Sequence, residues 1–97
     1  MNPIASSLFD VQGKVALVTG ASSGLGEHFA RTLAACGASV AVAARRLDRL
    51  QGLVTRITGD GGSAVAVPMD VTDTASVAAA FEQAAGLLGA PDIVVNN

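Results

Sequence analysis

Residues 19–26 read Thr19-Gly20-Ala21-Ser22-Ser23-Gly24-Leu25-Gly26 and follow the run Lys14-Val15-Ala16-Leu17-Val18. This order predicts a β-strand that enters a glycine-rich turn, from which a helix starts. Gly20 can adopt backbone angles closed to other residues, Gly24 lets a ligand approach the main chain, and Gly26 allows close helix packing. The N–H groups at the start of such a helix favour a phosphate. The stretch therefore predicts a dinucleotide-binding turn.

The composition restricts the class of protein. The chain has 97 residues, of which 51% are hydrophobic and 14% charged, as expected for one globular domain over residues 1–97. A net charge of −2 without a long basic run argues against a nucleic-acid partner. No stretch has the roughly 18 apolar residues of a membrane span, and the N-terminus lacks a signal-peptide pattern. With a single cysteine, Cys36, these features predict a cytoplasmic protein without a membrane partner.

Short apolar runs alternate with helical segments along the chain. The runs are Val15 to Thr19, Val40 to Ala44, Ala64 to Met69 and Ile93 to Val95. Helical spacing marks the segments between them, at Leu25, Phe29 and Leu33, at Leu50, Val54 and Ile57, and at Val77, Phe81 and Leu88. Such alternation predicts an α/β fold of βαβαβαβ order, with a parallel sheet covered on both faces.

The predicted helix ends carry their own signals. Gly37 is expected to terminate the first helix, because glycine readily takes the left-handed conformation there. The second helix is expected to end before the turn that begins at Gly59. Thr72 or Asp73 is placed to cap the third helix.

Other nucleotide sites use different residues around a glycine turn. A phosphate-binding P-loop requires Lys-Ser or Lys-Thr after its last glycine, whereas Glu27 follows Gly26 here. A methyltransferase-type site favours an acidic residue after the second strand, where this chain has Ala44-Arg45-Arg46. A turn that merely joins strand to helix is the remaining alternative.

The spacing Thr-Gly-x-x-x-Gly-x-Gly resembles that of the short-chain dehydrogenases/reductases. The resemblance continues at residues 9–18, Gly37-Ala38, Asp70-Val71-Thr72 and residues 92–97, so it covers nearly the whole chain. It implies a Rossmann-type, doubly wound parallel sheet, truncated here after its fourth strand. It also implies an oxidoreductase that acts on a small-molecule carbonyl or secondary alcohol and assembles as a homo-oligomer.

The residues after the second strand predict which cofactor is bound. An acidic residue there holds the ribose 2′-hydroxyl of NAD, and a cation accommodates the 2′-phosphate of NADP. Ala44 occupies the acidic position, Arg45 offers a planar fork for phosphate, and Arg46 adds a second cation. NADP is therefore expected rather than NAD. The alternative is that both arginines are simply solvated residues at a helix start.

The resemblance assigns further cofactor contacts. The turn residues Gly20, Ala21, Ser22, Ser23, Gly24, Leu25 and Gly26 would hold the pyrophosphate. Asp70 and Val71 would hold the adenine ring, Asn96 would lie beside the cofactor ribose, and Asn97 would tie neighbouring strands together. For Asp70 the alternative is a role in capping a turn.

Catalytic residues of the family cannot be placed in this chain. Family members use a tyrosine, a lysine four residues later and a serine, but the chain has no tyrosine and Lys14 is its sole lysine. No catalytic and no metal-binding residue is therefore predicted. The resemblance implies the N-terminal portion of an enzyme that continues with Ala-Gly and later Tyr-x-x-x-Lys. The alternative is a non-catalytic dinucleotide-binding or interaction module.

Overall fold

The structure, a computed structural model, describes residues 11–96. Its elements in chain order are β1 (Val15–Thr19), α1 (Gly24–Ala35), β2 (Ser39–Ala44), α2 (Leu47–Gly59), β3 (Ser63–Pro68), α3 (Thr74–Leu88) and β4 (Ile93–Val95). The predicted βαβαβαβ order is confirmed. The second helix ends at Gly59, one residue later than predicted. The third strand, β3, ends at Pro68, whereas the predicted apolar run ended at Met69. The predicted features at Phe9, Asp10 and Asn97 lie outside the described residues.

The four strands form one parallel sheet in the order β3-β2-β1-β4. β1 lies inside the sheet, where Ala16, Leu17 and Val18 are fully buried. Because the strands are parallel, their carboxyl ends meet at one edge of the sheet, here called the carboxyl edge. Ligands of open α/β sheets bind outside this edge.

Helices cover both faces of the sheet, which confirms the doubly wound α/β class. On one face α1 and α2 pack on the sheet in a core that includes Ala30, Leu50 and Ile57. On the other face α3 contributes Ala80 and Ala84 to a second core. Strand residues alternate between these two cores, so the strands are apolar on both sides, as their continuous apolar runs predicted.

The helix α1 packs on the sheet through small residues. Its buried residues are Gly26, Ala30 and Ala34, which repeat at helical spacing. Of the apolar repeat that predicted this helix, Leu33 packs half-buried against the core, but Leu25 and Phe29 are 60% and 40% exposed. Glycine and alanine allow the helix to approach the sheet closely, and the larger side chains consequently lie to the side.

Glycine in the left-handed conformation ends α1 as predicted. Gly37 has φ 97°, its N–H donates to Ala34 O at 3.0 Å, and the Ala38 N–H donates to Leu33 O at 3.1 Å. These paired bonds satisfy carbonyls at the helix end. Asp73 caps α3, since its side chain accepts hydrogen bonds from the N–H groups of Ala75 and Ser76. Within residues 11–96, no helix has the length and apolar character to cross a membrane.

Candidate dinucleotide site

The glycine-rich turn lies at the carboxyl edge, between β1 and α1. Gly20 has φ 63°, a left-handed conformation that favours glycine. The Ala21 N–H donates to Ala43 O at 3.2 Å, and this bond holds the turn against the end of β2. Ser23 is the N-cap of α1 but makes no capping hydrogen bond, because its Oγ donates to Gly20 O at 2.9 Å. The Ser23 side chain therefore does not accept from the first-turn N–H groups of α1, and N–H groups at a helix start suit an anion.

Gly24 has no role in packing that the described residues reveal. A Cβ built on this residue meets nothing within 4 Å, and its φ is not positive. Neither sterics nor backbone conformation therefore requires glycine here, although glycine destabilises a helix relative to alanine. A ligand that approaches the main chain closely would supply the reason. N–H groups at a helix start are of the kind that binds phosphate groups.

A cavity of about 210 Å³ opens beside the turn at the carboxyl edge. Its lining residues are Gly20, Ser22, Ala43, Ala44, Arg45, Arg46, Met69 and Val71. Of the predicted site residues it brings together Gly20, Ser22, Arg45, Arg46 and Val71. Those that do not line it are Ala21, Ser23, Gly24, Leu25, Gly26, Asp70 and Asn96. The carboxyl ends of β1, β2 and β3 therefore border the same cavity.

The two arginines of this cavity differ in their partners. Arg46 Nη2 lies 3.6 Å from Asp48 Oδ2, and both side chains are exposed. Within residues 11–96, Arg45 has no ion pair. Ala44, at the end of β2, is buried and places no carboxylate there. Arg46 precedes α2 as its N-cap and pairs with Asp48 in the first turn of that helix, so Arg45 is the cation better placed to bind an anion.

Asp70 forms a turn with the residues that follow it. Its Oδ1 accepts hydrogen bonds from the Thr72 N–H at 3.0 Å and the Thr72 hydroxyl at 2.7 Å. These bonds, together with the charge of Arg45, lower the pKa of the Asp70 carboxyl. The turn-capping role considered as the alternative is therefore present in the structure. No described residue donates to the other oxygen, Oδ2, while the neighbouring Val71 is 64% exposed at the cavity.

A threonine that the sequence did not assign connects the ends of β1 and β4. The Thr19 side chain is buried, and its Oγ1 lies 3.2 Å from Asn96 Oδ1 and 3.3 Å from Val95 O. The hydroxyl donates to one of these acceptors at a time. It thereby positions Asn96 next to the glycine-rich turn. The signal for this role was the threonine that opens the Thr-Gly motif.

A larger cavity, of about 560 Å³, lies between α1 and the turn after α2. His28, Arg31 and Thr32 line it from α1, and Asp60 from the turn. None of the predicted cofactor residues borders it. In the part of the chain that the structure describes, no group of three or more His, Cys, Asp or Glu side chains could hold a metal ion.

Comparison with known proteins assigns the chain to a family. Residues 14–97 match the family model described as short chain dehydrogenase. The chain belongs to this short-chain dehydrogenase family, a family of oxidoreductases. An uncharacterized oxidoreductase of Caenorhabditis elegans is 51% identical over 89 residues, which are 90% of this chain and 28% of that protein.

Solved structures show the same fold. A short-chain type dehydrogenase/reductase from Mycobacterium marinum is 46% identical with a TM-score of 0.86, over 91% of this chain and 36% of that one. A metagenomic short-chain oxidoreductase in complex with NADP is 35% identical with a TM-score of 0.85, over 91% and 40% of the two chains. The present chain thus spans about a third of the length of its relatives.

Proposed function

We propose that the complete gene product transfers a hydride between NADP(H) and a small-molecule carbonyl or secondary alcohol, and that residues 1–97 form its cofactor-binding part. Family membership supports an oxidoreductase and a nicotinamide dinucleotide. The cofactor supplies the hydride, and this chain would bind and orient it. We further propose that the complete protein is a homo-oligomer.

The observation that carries the preference for NADP is the charge at the end of β2. The cavity there contains Arg45 and Arg46 but no carboxylate among its lining residues. A carboxylate at this point would accept from a ribose 2′-hydroxyl and would repel a 2′-phosphate. A guanidinium can instead bind a phosphate through two parallel hydrogen bonds. The NADP complex of the metagenomic relative agrees with this proposal.

The remaining proposed contacts with the cofactor lie along the same carboxyl edge of the sheet. The N–H groups at the start of α1 would hold the pyrophosphate, with Gly24 allowing its close approach. Val71 would pack on the adenine ring, and Asp70 Oδ2 would accept from the adenine amine. Asn96, held by Thr19, would lie beside the second ribose.

The test is a cofactor titration of the complete gene product and of two arginine variants by calorimetry. A hydrogen bond to a charged group contributes about 1.5–3 kcal/mol, so Arg45→Ala should weaken NADPH roughly 10- to 100-fold. The affinity for NADH should hardly change. Arg46→Ala is the matched control and should have a smaller effect, because Asp48 already pairs with Arg46. Equal losses of affinity for NADPH and NADH in Arg45→Ala would contradict a role of Arg45 in binding the 2′-phosphate.

A further inference from the structure

An ion pair joins the start of α1 to the end of α2. Glu27 lies in the first turn of α1, and its Oε1 contacts Nη2 of Arg56. Arg56 belongs to the last turn of α2. The Glu27 side chain is 27% exposed and that of Arg56 is 54% exposed. The contact is therefore partly shielded from water on the Glu27 side.

Glu27 is the acidic residue in the first turn of α1, the helix whose first N–H groups would bind the pyrophosphate. Carboxylates are attracted to the N-terminal end of a helix for the same reason as phosphates are, since both are stabilised by the positive end of the helix dipole. An unpaired carboxylate on Glu27 would compete for this end of α1 and would repel the diphosphate. Neutralisation by Arg56 reduces both effects.

The path of α2 determines the direction in which Arg56 attracts the Glu27 carboxylate. α2 starts after β2 at the carboxyl edge and returns to the opposite edge, where β3 begins. Arg56, in the last turn of α2, therefore lies toward the edge remote from the glycine-rich turn. From that side the Arg56 guanidinium attracts the Glu27 carboxylate in the direction away from the glycine-rich turn.

We propose that Arg56 is a positioning residue for the dinucleotide, which it favours by neutralising Glu27 and holding it away from the pyrophosphate. This inference rests on the proposed function. Arg56 does not contact the cofactor in this scheme, because it acts through Glu27. The interaction should therefore matter for ligands that contain a pyrophosphate and not for ligands that lack one.

Two ligands and four variants of the complete gene product test the proposal. The variants are Arg56→Gln, Glu27→Gln, the double variant, and Lys14→Gln as a control for the loss of one positive charge. At low ionic strength, Arg56→Gln should raise the Kd of NADPH about two- to fivefold, as expected for one charge at a helix end. The Kd of adenosine 2′-monophosphate should not change. The double variant should regain the original NADPH affinity, and Lys14→Gln should retain it.

The outcomes separate this inference from the proposed function. Equal losses of affinity for NADPH and adenosine 2′-monophosphate in Arg56→Gln would show that Arg56 only supports the fold, and would overturn the inference. A double variant as weak as Arg56→Gln would also overturn it, because Arg56 would then act independently of Glu27. Unchanged NADPH binding in Arg56→Gln would overturn the inference alone. If the unaltered protein binds neither ligand, the proposed function fails and the inference fails with it.

Discussion

Replacement of Gly24 by alanine should change fold stability and cofactor affinity in opposite directions. The added Cβ meets no described atom within 4 Å and the φ of Gly24 is not positive. Alanine should therefore stabilise α1 by about 0.5–1 kcal/mol, because it loses less backbone entropy on folding. A bound pyrophosphate would meet the new methyl group, and overpacking of this kind costs about 1–3 kcal/mol. The affinity for NADPH should fall roughly 5- to 150-fold.

Thermal unfolding of the complete gene product, with and without NADPH, measures both effects in one experiment. At a concentration of 100 Kd a ligand stabilises the folded state by about 2.7 kcal/mol, and a tenfold weaker Kd reduces this to about 1.4 kcal/mol. Each kcal/mol corresponds to about 2–4 °C in Tm for a protein of 150–250 residues. Gly24→Ala should thus show a raised Tm without ligand and a reduced shift with NADPH.

Gly52 provides the matched control for this prediction. It is an exposed glycine within α2, and a Cβ at this position also meets nothing within 4 Å. Gly52→Ala should raise the Tm without ligand by a similar amount, and its NADPH-induced shift should equal that of the original protein. The reasoning is refuted if Gly24→Ala keeps the full NADPH shift, or if it lowers the Tm of the ligand-free protein.

Three other predictions concern stability, ionisation and activity. Gly62→Ala should lower the free energy of unfolding by about 1–3 kcal/mol, because its Cβ would lie 2.8 Å from Ile57 Cγ2; an unchanged denaturant midpoint would contradict this. Thr72→Val should raise the pKa of Asp70 by removing a hydroxyl donor, as an NMR titration can measure. Because the folded pKa is lowered from 3.8, the stability that this carboxylate contributes is present above its unfolded pKa and is lost as the pH falls through its folded pKa. Residues 1–97 alone should not oxidise NADPH with any carbonyl, since the chain has no tyrosine; measurable turnover in an absorbance assay would contradict this.

Local signals predicted most of the fold. β1 and β2 are buried on both faces, so their apolar runs are continuous and easily recognised. The end of α1 was predictable because a glycine in the left-handed conformation, here Gly37, is a local signal for a helix end. The sequence predicted close packing at Gly26, which is buried, but it did not predict that Ala30 and Ala34 continue the buried face of α1, since alanine carries little hydrophobic signal. Close packing on a sheet selects small residues, which a search for large apolar repeats overlooks.

The sequence predicted where the site lies in the fold, but it predicted few of the side-chain contacts within the site. The order of strand, glycine turn and helix places the ligand at the carboxyl edge. The difference between Arg45 and Arg46 depends on the Asp48 side chain, which the linear pattern does not reveal. The contact between Thr19 and Asn96 joins residues 77 positions apart, and such a distance is set by the whole sheet. Both are consequences of tertiary structure.

The pairing of β1 with β4 has a consequence for the order in which the chain can fold. β1, β2 and β3 are successive neighbours, but β4 joins β1 across the intervening chain. The Asp92 side chain accepts a hydrogen bond from the Val15 N–H at 2.9 Å and thereby fixes this junction. At about 5–20 residues per second, ribosomal synthesis of the residues between β1 and β4 takes roughly 4–15 s. Until β4 is made, the edge of β1 that will pair with β4 stays open even when β2 covers the other edge. A nascent chain therefore carries an open strand edge of the kind that favours aggregation, and pairing with β4 removes it.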